Sequence, residues 1–205
     1  MKSKIILLLF SLFIGPIYSQ NLLTNPGFES GSSGTGFVTN GVSYTQLTVP
    51  YAGTTAPGNF AVINSPYTIN TTDFIFAGDH TTGNGKMLVV DGTTNATNPR
   101  FWRAGGTGAG VNGLIIGTTY TFSYWVKSVS TLVTNPATQA NISIQLTGGS
   151  IPTLISGATL APLPSQNWRH VVYTFVATAT TATIELWNIN VKVAVELHLK
   201  PIGSL

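Results

Sequence analysis

Apolar residues in this chain recur at every second position, in short runs separated by turn residues. The clearest run is 119–128, where Tyr120, Phe122, Tyr124 and Val126 alternate with Thr, Ser, Trp and Lys side chains. A period of two places such residues on one face of a β-strand, whereas an amphipathic helix needs a period near 3.6. No stretch sustains that helical period. The sequence therefore predicts antiparallel strands with one face in a core and the other toward water.

Other segments alternate in the same way, and 22 glycines and 11 prolines separate them with dense Thr and Asn. This rhythm of short strands and turns is typical of a β-sandwich or barrel. Region 30–70 gives the weakest pattern, and we expect one or two edge strands and long loops there. The remaining predicted strands are 86–90, 101–104, 141–146, 168–176 and 181–190.

The first nineteen residues have the pattern of a secretory signal peptide. Lys2 and Lys4 form a basic start, 5–14 are almost wholly apolar, and Gly15 and Pro16 interrupt the run before Ser19. The apolar run is shorter than the roughly 20 residues needed to span a bilayer. We expect cleavage after Ser19, a secreted or cell-surface location, and no membrane insertion of the mature chain.

Charge is sparse, which limits the classes of partner. Charged residues make up 7% of the chain, and two of its nine Lys and Arg residues leave with the signal peptide. The seven that remain nearly balance six Asp and Glu and are scattered singly. Nucleic-acid binding needs a clustered basic face, so no nucleic-acid partner is predicted. The chain has no cysteine and therefore no disulfide or thiol chemistry.

Several segments, in this order, resemble a known family. They are NLLTNPGFESG (21–31), GDHTTGNGKMLVVDG (78–92), GTTYTFSYWVKS (117–128), the strand at 168–175 and TATIELWN (181–188). Together they resemble carbohydrate-binding modules with the galactose-binding-like jelly-roll fold, as found in exported surface proteins and adhesins of Bacteroidetes. The resemblance implies an all-β sandwich of two antiparallel sheets, with sugar bound on a concave face or at loop ends.

The end of the chain departs from that resemblance. Such modules usually close with a strand bearing an acidic pair just after the position of Asn190, and this chain continues with a more charged segment, 191–205. We therefore predict three parts: signal peptide 1–19, binding module 20–190 and an atypical tail 191–205. An incomplete final strand is expected, and a frameshift or a truncated gene would explain the tail.

The resemblance also implies a structural calcium site. It assigns Glu29 as a ligand and Asn25 as a weaker one, beside backbone carbonyls and an acid of the closing strand. That closing acid is absent here, which would weaken the site. The alternative for Glu29 is a structural hydrogen bond to turn amides.

Catalytic chemistry finds little support. Glycoside hydrolysis needs two carboxylates across the scissile bond. Among the six acids of the mature chain, Glu29 and Glu185 could approach one another, but at least one acid is expected in the structural ion site. The adjacent Asp79 and His80 invite a catalytic interpretation, but neighbouring strand residues point to opposite faces. We expect instead that Asp79 caps the following turn and that His80 packs against a strand. The sequence predicts a protein that is not an enzyme.

Two tryptophans fall on the polar faces of predicted strands, Trp125 and Trp187. An exposed indole is a platform on which the apolar C–H face of a sugar can stack, so both are predicted to bind carbohydrate. The alternative is that a loop folds over either ring and makes it part of a secondary core. Trp102 and Trp168 are predicted to be structural. Polar groups to orient the sugar are predicted from Arg103, Lys127, Glu185 and Gln145.

Three functions remain open at this point. The first is a non-catalytic module that binds a polysaccharide or glycan, within a larger surface protein that supplies other domains as partners. The second is a structural or adhesive spacer domain without a saccharide ligand. The third, and the least favoured, is a glycoside hydrolase.

Overall fold

The computed structural model describes residues 21–30, 35–39, 44–47, 57–93, 99–147, 155–188 and 193–200. The predicted signal peptide 1–19 lies outside these residues. Within them the only helical elements are two 3₁₀ turns, Pro66–Thr68 and Pro136–Thr138. No helix of the described residues has the length and apolar character of a membrane span.

Strands make up the rest of the regular structure in the described residues. In chain order they are β1 Phe37–Val38, β2 Thr45–Gln46, β3 Asn59–Ile63, β4 Met87–Asp91, β5 Arg100–Ala104, β6 Val111–Asn112, β7 Thr119–Lys127, β8 Asn141–Thr147, β9 Ile155–Leu160, β10 Arg169–Val176, β11 Thr181–Asn188 and β12 Val193–Lys200.

The strands form two sheets. Sheet A has the order β1-β5-β11-β8-β9, and β6 pairs with the start of β11. Sheet B has the order β10-β7-β12-β4-β3-β2. All pairings are antiparallel except the two-residue pairing of β2 with β3. The predicted all-β sandwich of antiparallel sheets is confirmed.

The main core lies between the two sheets and follows from the alternation in the sequence. In β7 the apolar set begun by Tyr120 and Phe122 is buried, as predicted. From sheet A, β8 contributes Ile142 and Ile144, and β11 contributes Ile184 and Leu186. Full burial of one such side chain stabilises the fold by about 1.5–3 kcal/mol, so this layer dominates the folding free energy.

A second apolar cluster covers the outer face of sheet B. Met87 and Val89 alternate with the core residues of β4, and they pack with Ile69, Phe74 and Val129 from the connecting segments. Trp168 is partly buried and packs against this cluster, whereas Trp102 is 3% exposed and belongs to the main core. The predicted structural roles of both tryptophans are confirmed.

A β-bulge in β5 decides which side chains reach the outer face of sheet A. Leu186 pairs with Trp102, but the next residue of β11, Trp187, pairs with Arg100. Phe101 is therefore the additional residue of the bulge, and both Phe101 and Trp102 are buried in the core. Because of this bulge, Arg100 and Arg103 share the outer face although they are three residues apart.

The tail was expected to leave the final strand incomplete, and the structure corrects this expectation. Residues 193–200 form β12, which pairs with β4 on one side and with β7 on the other. The register sets Val195 opposite Val126 and Leu197 opposite Tyr124, beside residues of the main core. Alternation within the tail is thus sufficient for a central strand. The origin of the tail stays a prediction.

Strand prediction was weakest before residue 70 and between the longer strands. β1 and β2 are short and lie at the edges of their sheets, as expected for region 30–70. The five-residue β3, which is internal to sheet B, was not predicted, and neither were β6 and β9. β6 pairs only two residues, Val111 and Asn112, with the start of β11.

Candidate functional site

Four of the six residues predicted to bind carbohydrate lie together on the outer face of sheet A. Arg103, Glu185 and Gln145 form one row across β5, β11 and β8. Trp187 lies two residues along β11, in the next row, between Arg100 and Ser143. Residues two apart in a strand share a face, so this grouping follows from the register. We call this surface the Trp187 face; its members are Arg100, Arg103, Ser143, Gln145, Thr183, Glu185 and Trp187.

Glu185 is the centre of the polar contacts on the Trp187 face. It is 8% exposed, and its Oε1 accepts a hydrogen bond of 2.9 Å from Arg100 Nη1. Arg103 Nε lies 3.6 Å from the same oxygen, within ion-pair range. Charge-assisted contacts of this kind hold partly buried side chains in one geometry.

Trp187 is held by the same carboxylate. Its Nε1 donates to Glu185 Oε2 at 3.2 Å, and its side chain is only half-buried. The indole is therefore oriented from within the protein, while part of the ring stays accessible. The amide of Gln145 and the hydroxyl of Thr183 lie in neighbouring rows and are partly exposed. A ring surface bordered by amide, hydroxyl and guanidinium groups is suited to a sugar, which has both C–H and O–H faces.

Arg100 was not predicted as a site residue. Strict alternation places it on the same face as Trp102, which is in the core. The bulge at Phe101 reverses that assignment and brings Arg100 to Glu185. A bulge leaves no pattern in side-chain alternation, so no feature of the sequence pointed to Arg100.

Trp125 and Lys127 lie elsewhere, on the outer face of sheet B in β7. Packed sheets are about 10 Å apart, so residues on the two outer faces are separated by the whole sandwich. The six predicted residues therefore do not form a single site. Burial lowers the pKa of Lys127 below its ordinary value.

A loop does fold over Trp125, the alternative that the sequence left open. The His80 ring stacks on the indole with centroids 3.5 Å apart, and the His170 ring stacks at 4.4 Å. His80 also makes an edge contact with Trp168. The Trp125 ring thus already has two aromatic partners within the protein.

The turn that carries His80 is stabilised by Asp79, as predicted. Asp79 Oδ2 accepts from the backbone N–H groups of Thr81 and Thr82, and Oδ1 accepts from the Thr82 hydroxyl and from Gly85 N–H. Burial tends to raise the pKa of Asp79, but these hydrogen bonds outweigh it, and the pKa is lower than the ordinary 3.8. Asp79 is a capping residue and His80 packs against β7, which confirms both expectations.

The two candidate calcium ligands point to different partners. Glu29 Oε1 accepts from Lys86 N–H at 2.8 Å, the hydrogen bond to a turn amide that was the alternative for this residue. The Asn25 side chain bonds to Ser30 and to the carbonyl of Thr35. No group of three or more His, Asp or Glu residues suited to a metal ion occurs in the described part of the chain. Calcium sites are also built from backbone carbonyl and amide oxygens, so calcium binding stays a prediction.

An exposed aromatic pair was missed by the sequence analysis. Phe76 is 82% exposed and Tyr67 is 43% exposed, with ring centroids 6.4 Å apart. Both lie in the segments that cover sheet B, where no periodic pattern separates exposed from buried residues. They are a second place where an aromatic ring meets solvent, and they provide a control for the Trp187 face.

Comparison with known proteins gave structural matches only. No protein-family model matches the chain, and no curated protein matches it. Among solved structures it is similar to the CBM22-1 xylan-binding domain from Paenibacillus barcinonensis Xyn10C, with a TM-score of 0.41 and 13% identity over 75% of this chain and 90% of that one. It is also similar to a structure described as CBM4, with a TM-score of 0.35 and 15% identity over 57% and 68% of the two chains.

A third similar structure is the arabinose-bound MgGH51 α-L-arabinofuranosidase, with a TM-score of 0.49 and 13% identity. The match covers 92% of this chain but only 27% of that enzyme. All three TM-scores are below 0.5, so the function proposed next is based on the residues of this chain.

Proposed function

We propose that this chain is a non-catalytic carbohydrate-binding module of an exported or cell-surface protein, and that it binds sugar on the Trp187 face. The export part of the proposal is supported by the apolar segment 5–14 behind Lys2 and Lys4. The binding part is supported by a single arrangement, the half-buried Trp187 indole bonded to the buried Glu185 carboxylate.

The Glu185 contact matters because it orients the Trp187 ring before a sugar binds. A freely rotating side chain loses rotamer entropy on complex formation, about 0.5–1.5 kcal/mol for a large one. The bond from Trp187 Nε1 to Glu185, which is itself bonded to Arg100, fixes the ring beforehand. Strands β5, β11 and β8 carry the surrounding groups, and strands hold a site more rigidly than loops do.

The positions of the acids support binding rather than hydrolysis. Glu185 already contacts Arg100 and Arg103 through Oε1 and Trp187 through Oε2, so both of its oxygens are engaged within the protein. The Glu29 carboxylate instead accepts a hydrogen bond from the turn before β4, in sheet B. A glycosidase needs two carboxyl groups about 5–10 Å apart on one site. The Trp187 face has one such carboxyl group, that of Glu185, so it lacks the pair that hydrolysis requires.

The proposal is tested by measuring binding of the chain without its signal peptide to soluble arabinoxylan, mixed-linkage β-glucan, galactomannan and polygalacturonate. Titration calorimetry and affinity electrophoresis give the dissociation constants. Trp187→Ala removes the platform. Loss of about 80 Å² of apolar contact costs ~2 kcal/mol, so we expect binding to weaken by about 30-fold.

Two matched variants locate the site. Phe76→Ala removes a more exposed ring outside the Trp187 face, and Trp125→Ala removes the ring that stacks on His80 and His170. We expect both to bind within about twofold of the original chain. If Trp187→Ala binds normally, or if none of the four polysaccharides binds, the proposal is wrong. The second result would favour a spacer domain.

A further inference from the structure

The Trp187 face carries more positive than negative charge. Arg100 and Arg103 both lie beside Glu185, and their side chains are 19% and 32% exposed. One carboxylate balances only one guanidinium, which leaves an excess of one positive charge in a partly desolvated place. Such a charge is worth more to a ligand there than on an open surface, because water screens it less.

In the part of the chain that the structure describes, Glu185 is the acid that forms ion pairs with these two arginines. The sequence has six acidic residues, and all six lie in the part of the chain that the structure describes. The five others lie outside sheet A: Glu29 and Asp79 at the turn before β4, Asp73 in the turn that begins at Asn70, Asp91 in β4 and Glu196 in β12. The excess charge is therefore a property of this face within a nearly neutral mature chain.

Of the two arginines, Arg103 is the one less tightly bound to Glu185, so its charge can interact with a ligand. Its Nε is 3.6 Å from Glu185, beyond hydrogen-bonding distance, whereas Arg100 makes a bond of 2.9 Å. Arg103 Nε is buried without a hydrogen bond to any described residue. Nε is therefore out of a ligand's reach, and because the side chain is 32% exposed, the Nη groups are the donors that a ligand can contact.

The glycine loop that follows β5 runs beside the Arg103 side chain. Gly108 has a φ of +73°, and a Cβ built there would lie 3.7 Å from Arg103 Cδ and Nε. The loop therefore covers the stem of the side chain. Since the stem is covered and the side chain is still 32% exposed, the exposed part is at the guanidinium end.

We infer that the saccharide bound on the Trp187 face is anionic, a polysaccharide with uronic-acid carboxylates, and that Arg103 pairs with one of them. This inference rests on the proposed function and adds the class of ligand. Arg103 lies in the row next to that of Trp187, so a sugar stacked on the indole brings its ring substituents near the guanidinium. A planar guanidinium donates two parallel hydrogen bonds to a carboxylate, which a neutral hydroxymethyl group cannot accept in the same way.

The test compares polygalacturonate with its fully methyl-esterified form, which has the same sugar backbone without the charge. We expect the acid to bind roughly tenfold more tightly than the ester at low salt, and the preference to decline as ionic strength rises. Arg103→Gln should reduce the preference to less than about twofold. Arg103→Lys, which keeps the charge but not the planar fork, should retain only part of it.

Dextran sulfate separates carboxylate recognition from general attraction to anions. Binding of dextran sulfate as tight as that of polygalacturonate would overturn the inference in favour of a non-specific anion site. Equal binding of acid and ester would also overturn it. Different results would refute the proposed function: no polysaccharide binds, or the Trp187→Ala variant binds as tightly as the original chain. A module that binds arabinoxylan through Trp187 but ignores polygalacturonate would keep the function and refute the anionic ligand.

Discussion

Neutralising Glu185 should destabilise the fold, and the size of the effect follows from its surroundings. Removing one partner of a fully buried ion pair costs about 3–5 kcal/mol, because the remaining charge has neither water nor a counterion. A fully exposed pair is worth about 0–1 kcal/mol. The side chain of Glu185 is 11% exposed, and those of Arg100 and Arg103 are 19% and 32% exposed. The network lies between the two limits, and we expect a loss of about 2 kcal/mol for Glu185→Gln.

Glutamine keeps the shape of the side chain and one acceptor oxygen. That oxygen can still accept from Arg100, but the amide N–H₂ then faces Trp187 Nε1, where two donors meet without an acceptor. The stability loss should appear in urea unfolding followed by circular dichroism. For a chain of this length about 2 kcal/mol corresponds to a decrease in Tm of roughly 4–8 °C.

A double-mutant cycle with Arg100→Gln isolates the pair. We expect a coupling energy of about 1–2 kcal/mol between positions 100 and 185. Gln145→Ala is the control, because Gln145 is in the same row and makes no ion pair with a described residue; it should change the unfolding free energy by less than about 0.5 kcal/mol. A Glu185→Gln variant as stable as the original chain, or a coupling energy near zero, would refute the view that this network is structural.

Four further predictions concern other parts of the chain. Because the pKa of Asp79 is depressed, its stabilisation is present above the ordinary pKa of 3.8 and lost as pH falls through the depressed value, so Asp79→Asn should flatten the acid limb of a Tm-versus-pH curve. Burial disfavours the charged form of Lys127, so Lys127→Met should raise the Tm slightly at pH 7, with the electrostatic part of the gain disappearing above pH 10.5. Deleting 191–205 removes the central β12 and should abolish the cooperative thermal transition in circular dichroism. If Glu29 binds calcium, added calcium should raise the Tm of the original chain but not that of Glu29→Gln, and an equal rise in both would contradict that role.

The sequence predicted the parts of the fold that depend on alternation. In β7, β8 and β11 the apolar residues of every second position are buried between the sheets, as expected. β3 was missed although Phe60 and Ala61 are both buried. They belong to two different apolar clusters, one on each face of sheet B. A strand covered on both faces does not alternate, and a period of two cannot reveal it.

The candidate site was predicted only as far as single strands determine it. Alternation correctly placed Glu185 and Trp187 on one face of β11, since both residues lie on the same strand. It could not show that Trp125 belongs to the other sheet, because which strands are neighbours depends on pairings between distant segments. It also could not show that His80, 45 positions before Trp125 in the chain, stacks on that indole. Such contacts are set by tertiary structure, which a local pattern does not contain.

The two outer tryptophans show why a polar-face position alone does not identify a binding ring. Both alternate with core residues, and both are half-buried. Trp125 stacks on His80 and His170, so a sugar on that indole would have to compete with rings already in place. Trp187 donates its Nε1–H to Glu185, and no aromatic ring of the described residues stacks on its indole. An indole oriented through its edge, with no ring stacked on it, is the better candidate for a sugar.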